Sequence, residues 1–252
     1  MQREHPTQWP TPSYGSAADK FGSRLEAIGV IATIALLKSS SAPGVWRGWW
    51  CHLRGEPGFD TLLPRMSGNL TSQFPELVSV DDYLEGERHS EIKHEYSGGV
   101  VTAMAGASRE HELVAMNLAS SIHGHLRGKG CRTFKSDMKL HTEVIGSDIF
   151  YYPDIMVACE PDDDSRYFVR KPKLIIEILS DNVMRDRVEK FLVYQRISSL
   201  EEYAVVSQHP ERAEVTVYRR ADGWEPGETH RTGDFTLRSI GLMLRVEDLY
   251  LA

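Results

Sequence analysis

A chain of 252 residues, 41% hydrophobic and 26% charged, is long enough for one well-cored domain with an extension, or for two small domains. Its formal net charge of −7 excludes a generally basic surface, so any nucleic-acid contact has to come from a local patch or through bridging cations. Three cysteines, Cys51, Cys131 and Cys159, are odd in number and widely spaced, with no CxxC pair; that is not a disulfide framework, and it fits a reducing, cytoplasmic compartment.

Residues 1 to 65 read unlike the rest. Pro6, Pro10, Pro12, Pro43, Pro57 and Pro64 are scattered through them, and no apolar period persists. The segment is expected to be a disordered extension. Its longest apolar run, Ala27 to Leu37, has 11 residues, against roughly 20 for a bilayer span, so no membrane association is expected. Ser40, Ala42 and Pro43 follow that run as they would in a signal peptide, but the polar stretch ahead of it is far longer than such a peptide carries. A bolder reading is that Met66-Ser67-Gly68-Asn69, which opens like an ordinary polar N-terminus, is the true start and that residues 1 to 65 come from a misplaced start codon. The organised domain is therefore placed at 66 to 252. It holds 22 basic and 31 acidic residues, a net of −9, so the functional part is the acidic part.

Val80 to Leu84 predicts a short helix capped by Ser79 or Asp81. Glu91 to Tyr96 and Val100 to Met104 flank Ser97-Gly98-Gly99, a hairpin signal, with Glu95 on the first strand. Ser108 to Arg127 is the clearest helix, with Leu113, Met116, Leu118, Ile122 and Leu126 as its apolar stripe and Gly128 and Gly130 ending it. Cys131 to Lys135 and Met138 to Val144 predict strands separated by a bend at Ser136-Asp137. Asp154 to Cys159 is a third. Leu174 to Leu179 is a fourth, apolar except at Glu177, and so reads as a strand buried on both faces in the middle of a sheet. Val183 to Ile197 reads as a helix with Met184, Val188, Phe191, Leu192 and Gln195 on one side. Glu202 to Ser207 and Glu214 to Arg219 are further strands, and Leu237 to Tyr250 closes the domain with a strand or short helix. The order predicts an α/β fold with a mixed central β-sheet flanked by helices.

Glu177 needs an explanation, because a charged carboxylate inside a buried strand is costly unless it is paired or binds a metal. Asp154, at the start of a neighbouring strand, could meet it. Two such acids form a hard-oxygen site suited to Mg²⁺ or Mn²⁺. A metal there could activate water and offset charge on a phosphate. The plain alternative is a Glu177 that pairs with a lysine or arginine and does nothing else.

Glu95 before Ser97-Gly98-Gly99, His111 at a helix start, Tyr152-Pro153-Asp154-Ile155-Met156-Val157, Leu174 to Ser180 around Glu177, then Asp186-Arg187, Lys190, Tyr194 and Glu202-Tyr203 form an ordered series. Over roughly residues 76 to 250 this series resembles the Uma-type restriction endonuclease family within the PD-(D/E)XK nuclease superfamily. The resemblance implies a restriction-endonuclease-like core and metal-dependent hydrolysis of phosphodiester bonds in DNA. It also implies Asp154 and Glu177 as metal ligands, with Glu95 completing the metal shell. The superfamily lysine, two residues after the second acid, is absent: that position is Leu179. In the Uma-type pattern the lysine moves to the following helix, where Lys190 stands, to orient the attacking water or steady the phosphate charge.

Each residue also has a plainer reading. Lys190 could pair with Asp186, four residues earlier, on a helix surface. Glu95 could be a solvated strand residue. His111 could be a local hydrogen-bonding group, and Tyr194 a packing residue that holds the lysine. His111-Glu112 lacks the second histidine of a zinc-protease helix. His123 and His125 point to different sides of theirs. Asp162-Asp163-Asp164 reads as a solvated loop. Three functional readings follow: a Mg²⁺- or Mn²⁺-dependent DNA endonuclease, paired as a homodimer where both strands are cut; a catalytically inactive nuclease fold that binds DNA or a protein partner; and an RNA-directed enzyme, for which the expected stacking aromatics are missing.

Overall fold

The computed structural model of the protein describes residues 77–179 and 189–251. The N-terminal extension, the expected boundary at Met66, Cys51, Asp186 and the first part of the helix expected over 183–197 lie outside them.

The described chain begins with helix α1, Val80–His89, capped by Ser79, whose Oγ accepts from Asp82 N at 3.1 Å. Asp81 and Asp82 in its first turn favour the positive end of the helix. The helix continues past the expected end at Leu84. Its buried Tyr83 packs on Tyr96 and Phe150, ring centroids 5.0 and 5.3 Å away. The predicted hairpin follows as β1, His94–Ser97, and β2, Val100–Ala103. Gly98 and Gly99 form its turn with φ of 55° and 97°, a pair of positive values that glycine adopts without strain.

Helix α2, Arg109–Leu126, is capped by Ser108. Its buried face is His111, Val114, Ala115, Leu118, Ile122 and Leu126. The expected stripe is correct at Leu118, Ile122 and Leu126 and wrong at Leu113 and Met116, which are 39% and 53% exposed. At 3.6 residues per turn these two lie roughly 140° and 200° around the axis from Leu118.

The strands that follow are β3 (Arg132–Lys135), β4 (Lys139–Val144), β5 (Ser147–Tyr151), β6 (Ile155–Ala158), β7 (Phe168–Val169) and β8 (Pro172–Leu179). After a crossover come β9 (Glu202–Ser207), β10 (Val215–Arg219), β11 (Glu228–His230), β12 (Asp234–Leu237) and β13 (Leu242–Arg245). The mixed α/β architecture is distributed over two larger sheets rather than one. The six-stranded sheet has the order β11-β10-β9-β8-β6-β3, and the five-stranded sheet β2-β1-β5-β4-β7. The bend at Ser136, with φ of 53°, sends β3 and β4 to different sheets. Strand β5, a hairpin partner of β4, is absent from the sequence reading because its polar start, Ser147-Asp148, follows a turn at Ile145-Gly146. The expected closing segment resolves into the β12–β13 hairpin and a 3-10 turn at Glu247–Tyr250.

Strand β8 is central, antiparallel to β6 and parallel to β9. Its alternate residues enter two different cores. Leu174, Ile176 and Ile178 join Leu118 and Ile122 of α2, while Ile175 and Leu179 join Leu140, Tyr194, Tyr203 and Val205. Glu177 falls in the second set by strand alternation. Because β8 and β9 are parallel, the chain between them has to cross back over the sheet. Within the described part of that crossover, Glu189 and Lys190 have π-type helical geometry and lead into α3, Phe191–Tyr194, which stops short of the expected end at Ile197. Leu192, expected on its inner side, is 58% exposed.

Two expectations are corrected. Cys131 and Cys159 form a disulfide with Cα atoms 4.1 Å apart, against the reading that the cysteines form no disulfide framework. The β3–β6 register pairs Arg132 with Ala158, so the next pair outward brings the two cysteines face to face across strands far apart in sequence. Asp163 is not part of a solvated acid run. It is 6% exposed, and its carboxylate accepts from Arg170 N at 2.9 Å and Lys171 N at 2.6 Å, fixing the approach to β8. Among the described residues no helix is long and apolar enough to cross a membrane.

The hairpin turn gives a direct check. A Cβ on Gly99 would stand 2.9 Å from Leu77 Cβ, at a φ that L-residues avoid. Gly99→Ala is expected to destabilise the protein by more than about 1 kcal/mol. Gly128→Ala, at positive φ but in open space, should be less damaging. Urea unfolding midpoints of the two variants measure the difference.

Candidate active site

Strand alternation buries Glu177, and the crossover lays its partners over it. Glu177 is 3% exposed and Lys190 6%. Lys190 Nζ donates to Glu177 Oε1 at 3.3 Å, and the Tyr194 hydroxyl donates to the same oxygen at 2.6 Å. Burial, followed by the charge of Glu177, holds the Tyr194 hydroxyl protonated well above its usual range. Lys190 Nζ also stands 3.1 Å from Glu95 Oε1. Glu95 is 6% exposed on β1, so the solvated reading of that residue fails. Leu179, at the position of the superfamily's strand lysine, is buried in the second core.

Asp154 immediately precedes β6. The β6–β8 ladder pairs Ile155 with Ile176, and one further step of that register would set Asp154 opposite Glu177. Its Oδ2 accepts from Ile178 N at 2.7 Å, satisfying a β8 N–H beyond the last β6 partner. The same oxygen meets His111 Nε2 at 3.1 Å. His111 is held there because Ser108 Oγ caps its backbone N–H at 3.1 Å. Burial works to lower the His111 pKa, but the Asp154 hydrogen bond and charge, with Glu112 and Glu177 behind them, outweigh it, and the net shift is upward. The imidazole therefore faces an acid from another element, beyond the local hydrogen-bonding role that was the plainer expectation.

The sequence-predicted residues thus fall into two adjoining groups: Glu95, Glu177, Lys190 and Tyr194 around one ammonium, and Asp154 with His111 beside them. Among the described residues three carboxylates face one lysine and one histidine, an excess of negative charge that favours a cation. Asp154 Oδ1 makes no hydrogen bond among the described residues, so an oxygen remains for a ligand. No three His, Cys, Asp or Glu side chains among those residues gather as a cage. The donor set, oxygen only and incomplete, fits a hard divalent cation that keeps much of its water. Asp154 and Glu177 are the residues that could hold it.

Glu202 lies elsewhere. It binds Arg219 Nε at 2.8 Å and the backbone N–H groups of Arg238 and Ser239. Its neighbour Tyr203 packs its ring on Tyr194, 5.4 Å between centroids. One residue escaped the sequence reading. Glu87 of α1 accepts from His94 N at 3.0 Å, meets His94 Nδ1 at 3.1 Å and accepts from Tyr152 Oη at 2.8 Å. It thereby ties the residue before Glu95 to the segment that leads into Asp154. Nothing in a polar helix sequence marks one glutamate among several as buried.

The model of the family described as "Uma2: Putative restriction endonuclease" matches residues 80–247. The chain belongs to this family. The match runs from α1 into the last 3-10 turn and contains every residue of the site. Two relatives come from Synechocystis sp. strain PCC 6803. The uncharacterized protein slr1290 is 32% identical over 184 residues, covering 71% of this chain and 94% of its own length. The uncharacterized protein sll1609 is 32% identical over 142 residues, covering 55% and 79%. The crystal structure of a putative nuclease belonging to DUF820, from Anabaena variabilis ATCC 29413, shares the fold with a TM-score of 0.54 at 20% identity. That likeness covers 69% of this chain and 97% of the other.

The His111–Asp154 pair in this Uma2 domain has a signature in pH. The folded pKa of His111 is raised above the ordinary 6.5. Its contribution to stability is therefore full below that value and is lost as pH rises through the raised one. In EDTA, the stability of the wild type relative to His111→Asn is expected to be larger near pH 5.5 than near pH 8.5, read from urea midpoints. Asp154→Asn should lower the imidazole pKa in an NMR titration.

Proposed function

We propose that the protein is a divalent-metal-dependent endonuclease that hydrolyses phosphodiester bonds in DNA. The observation that carries this reading is the buried Lys190 ammonium within 3.1 and 3.3 Å of Glu95 and Glu177, beside an Asp154 with an oxygen to spare. A lysine that stayed on the surface with Asp186 would support nothing of the kind. Family membership adds the reaction class, and DNA as substrate is the reading it favours.

Asp154 and Glu177 are the residues that would hold Mg²⁺ or Mn²⁺, which when bound supplies an activated water and charge neutralisation at a phosphate. The remaining steps fall to the chain itself. Lys190, on a long flexible stem, can leave its carboxylate partners to orient the attacking water or to offset charge developing on the phosphate. Tyr194 keeps Glu177 in one rotamer while Lys190 moves. His111 fixes the orientation of the Asp154 carboxylate through Oδ2. Glu95 holds the lysine between turnovers and adds a third negative charge to the site. Cutting both strands of a duplex from one site per chain calls for two copies, so a homodimer is part of the proposal.

The competing reading, a nuclease fold kept for binding alone, draws on the same ammonium: Lys190 could neutralise the acids permanently. Calorimetry separates the two, because a closed salt bridge has no need of a metal. In a plasmid-nicking assay with Mg²⁺ or Mn²⁺, wild-type protein is expected to cut, Asp154→Ala and Glu177→Ala to show no cleavage, and Lys190→Ala to be slower by roughly 100- to 1,000-fold. Wild-type protein that binds no metal and cuts no form of DNA would overturn the proposal.

A further inference from the structure

The organised domain is acidic, yet the proposed substrate is a polyanion. Four cations that could receive it lie beside two tyrosine rings in one strip. Lys93 Nζ stands 5.8 Å from the Tyr152 ring centroid, and Lys139 Nζ stands 5.3 Å from the same ring. Arg88 lies 5.0 Å from the centroid of Tyr167, with Arg166 at 5.5 Å from that ring. Tyr167 is 44% exposed. The strip therefore alternates cations with aromatic rings, one of them open to solvent.

Two features make this more than a chance grouping. The first is Lys139, which has no ion-pair partner among the described residues. It is half-buried, and burial, helped by the positive charge of Arg88 and only partly opposed by Glu87, holds its pKa below the usual lysine range. Both Glu87 oxygens are already engaged by His94 and Tyr152. An ammonium desolvated and crowded by another cation is relieved by an incoming anion. The second is direction. Lys93 lies two residues before Glu95, and the ladder continues through it, since Met104 N donates to Lys93 O at 2.8 Å. Strand alternation puts the two side chains on one face. Tyr152 stands in the short connection that runs from β5 to Asp154. The strip leads into the carboxylates.

We infer that Lys93, Lys139, Arg88 and Arg166, the last two set over the Tyr167 ring, form the track that holds the phosphate backbone of DNA leading to the site. The inference rests on the endonuclease reading for its substrate, but its test is one of binding. The acids along the strip do not close it. Glu85 pairs with Arg88 at 2.9 Å and Asp137 with Lys93 at 2.6 Å, and exposed pairs of this kind are weak and exchange readily for a phosphate.

The test is fluorescence anisotropy of the full chain with a labelled DNA duplex in EDTA, across a range of salt concentrations. The variant R88Q/K93Q/K139Q is expected to bind at least about tenfold more weakly. Its plot of log affinity against log salt should flatten by about 0.9 for each phosphate that the protein no longer neutralises. K139R should keep wild-type affinity. R88Q/R166Q, confined to exposed positions, should show the same trend without touching the interior. R212Q/R231Q, which removes exposed cations outside the strip, should bind as wild type. The track is overturned if wild-type protein does not bind, if the strip variants keep both affinity and slope, or if R212Q/R231Q weakens binding as much. Metal-dependent nicking is scored separately. Binding that follows the strip without any cleavage sinks the endonuclease reading and leaves the track standing. Cleavage by a wild type whose binding ignores the strip does the reverse.

Discussion

A carboxylate in the central strand of a sheet is the constraint on which this domain is built. Glu177 sits among Ile175, Ile176, Ile178 and Leu179, almost wholly shielded from water, where an unpaired charge would be severely unfavourable. The fold has to deliver partners to that point. It does so with the parallel β8–β9 connection, which returns over the face carrying Glu177 and brings Lys190 and Tyr194 down onto it. The second core, with Tyr151, Tyr194, Tyr203 and Trp224, encloses the pair in aromatic surface. Lys190 Nζ lies 5.5 Å from the Tyr151 ring centroid, so the ammonium is also supported from the apolar side.

Legibility in the sequence tracks how local each signal is. The Gly-Gly hairpin, the Ser108 cap and the apolar β8 run are set by neighbouring residues, and all three are readable. Glu177 stands out because its surroundings are uniformly apolar. Features fixed by pairing between distant segments are not readable. Cys131 and Cys159 meet through the β3–β6 register, and Glu87 is buried because α1 lies against the start of β1 and the end of β5. The two faces of α2 are partly misjudged for a related reason: hydrophobicity alone does not distinguish Leu113 from Leu118, and the packing partner decides.

The candidate site shows the same division. Asp154, Glu177 and Lys190 follow from an ordered series of residues and a family pattern. That Lys190 turns inward depends on the crossover and on Tyr194 taking the adjacent position at the same oxygen. That His111 reaches Asp154 depends on Ser108 starting α2 where it does. The shared oxygen of Asp154, which accepts from Ile178 N and meets His111, makes the acid part of the sheet's own hydrogen bonding as well as a site residue. Its replacement by alanine would remove a cap from β8 together with any ligand role, whereas asparagine retains a side-chain oxygen for that cap.

The three acids do not come from one sheet. Glu95 belongs to β1 in the five-stranded sheet, whereas Glu177 lies on β8 in the six-stranded one and Asp154 immediately precedes β6 there. The lysine that bridges Glu95 to Glu177 is therefore a cross-brace between the two sheets, while Ser136 N, donating to Asp154 O, extends the β3–β6 ladder of the six-stranded sheet as far as the third acid. A group that draws Lys190 away from either acid therefore also removes a charged link between two sheets that otherwise meet through apolar side chains, Leu140, Ile149 and Tyr151 from one and Met156 and Ile175 from the other.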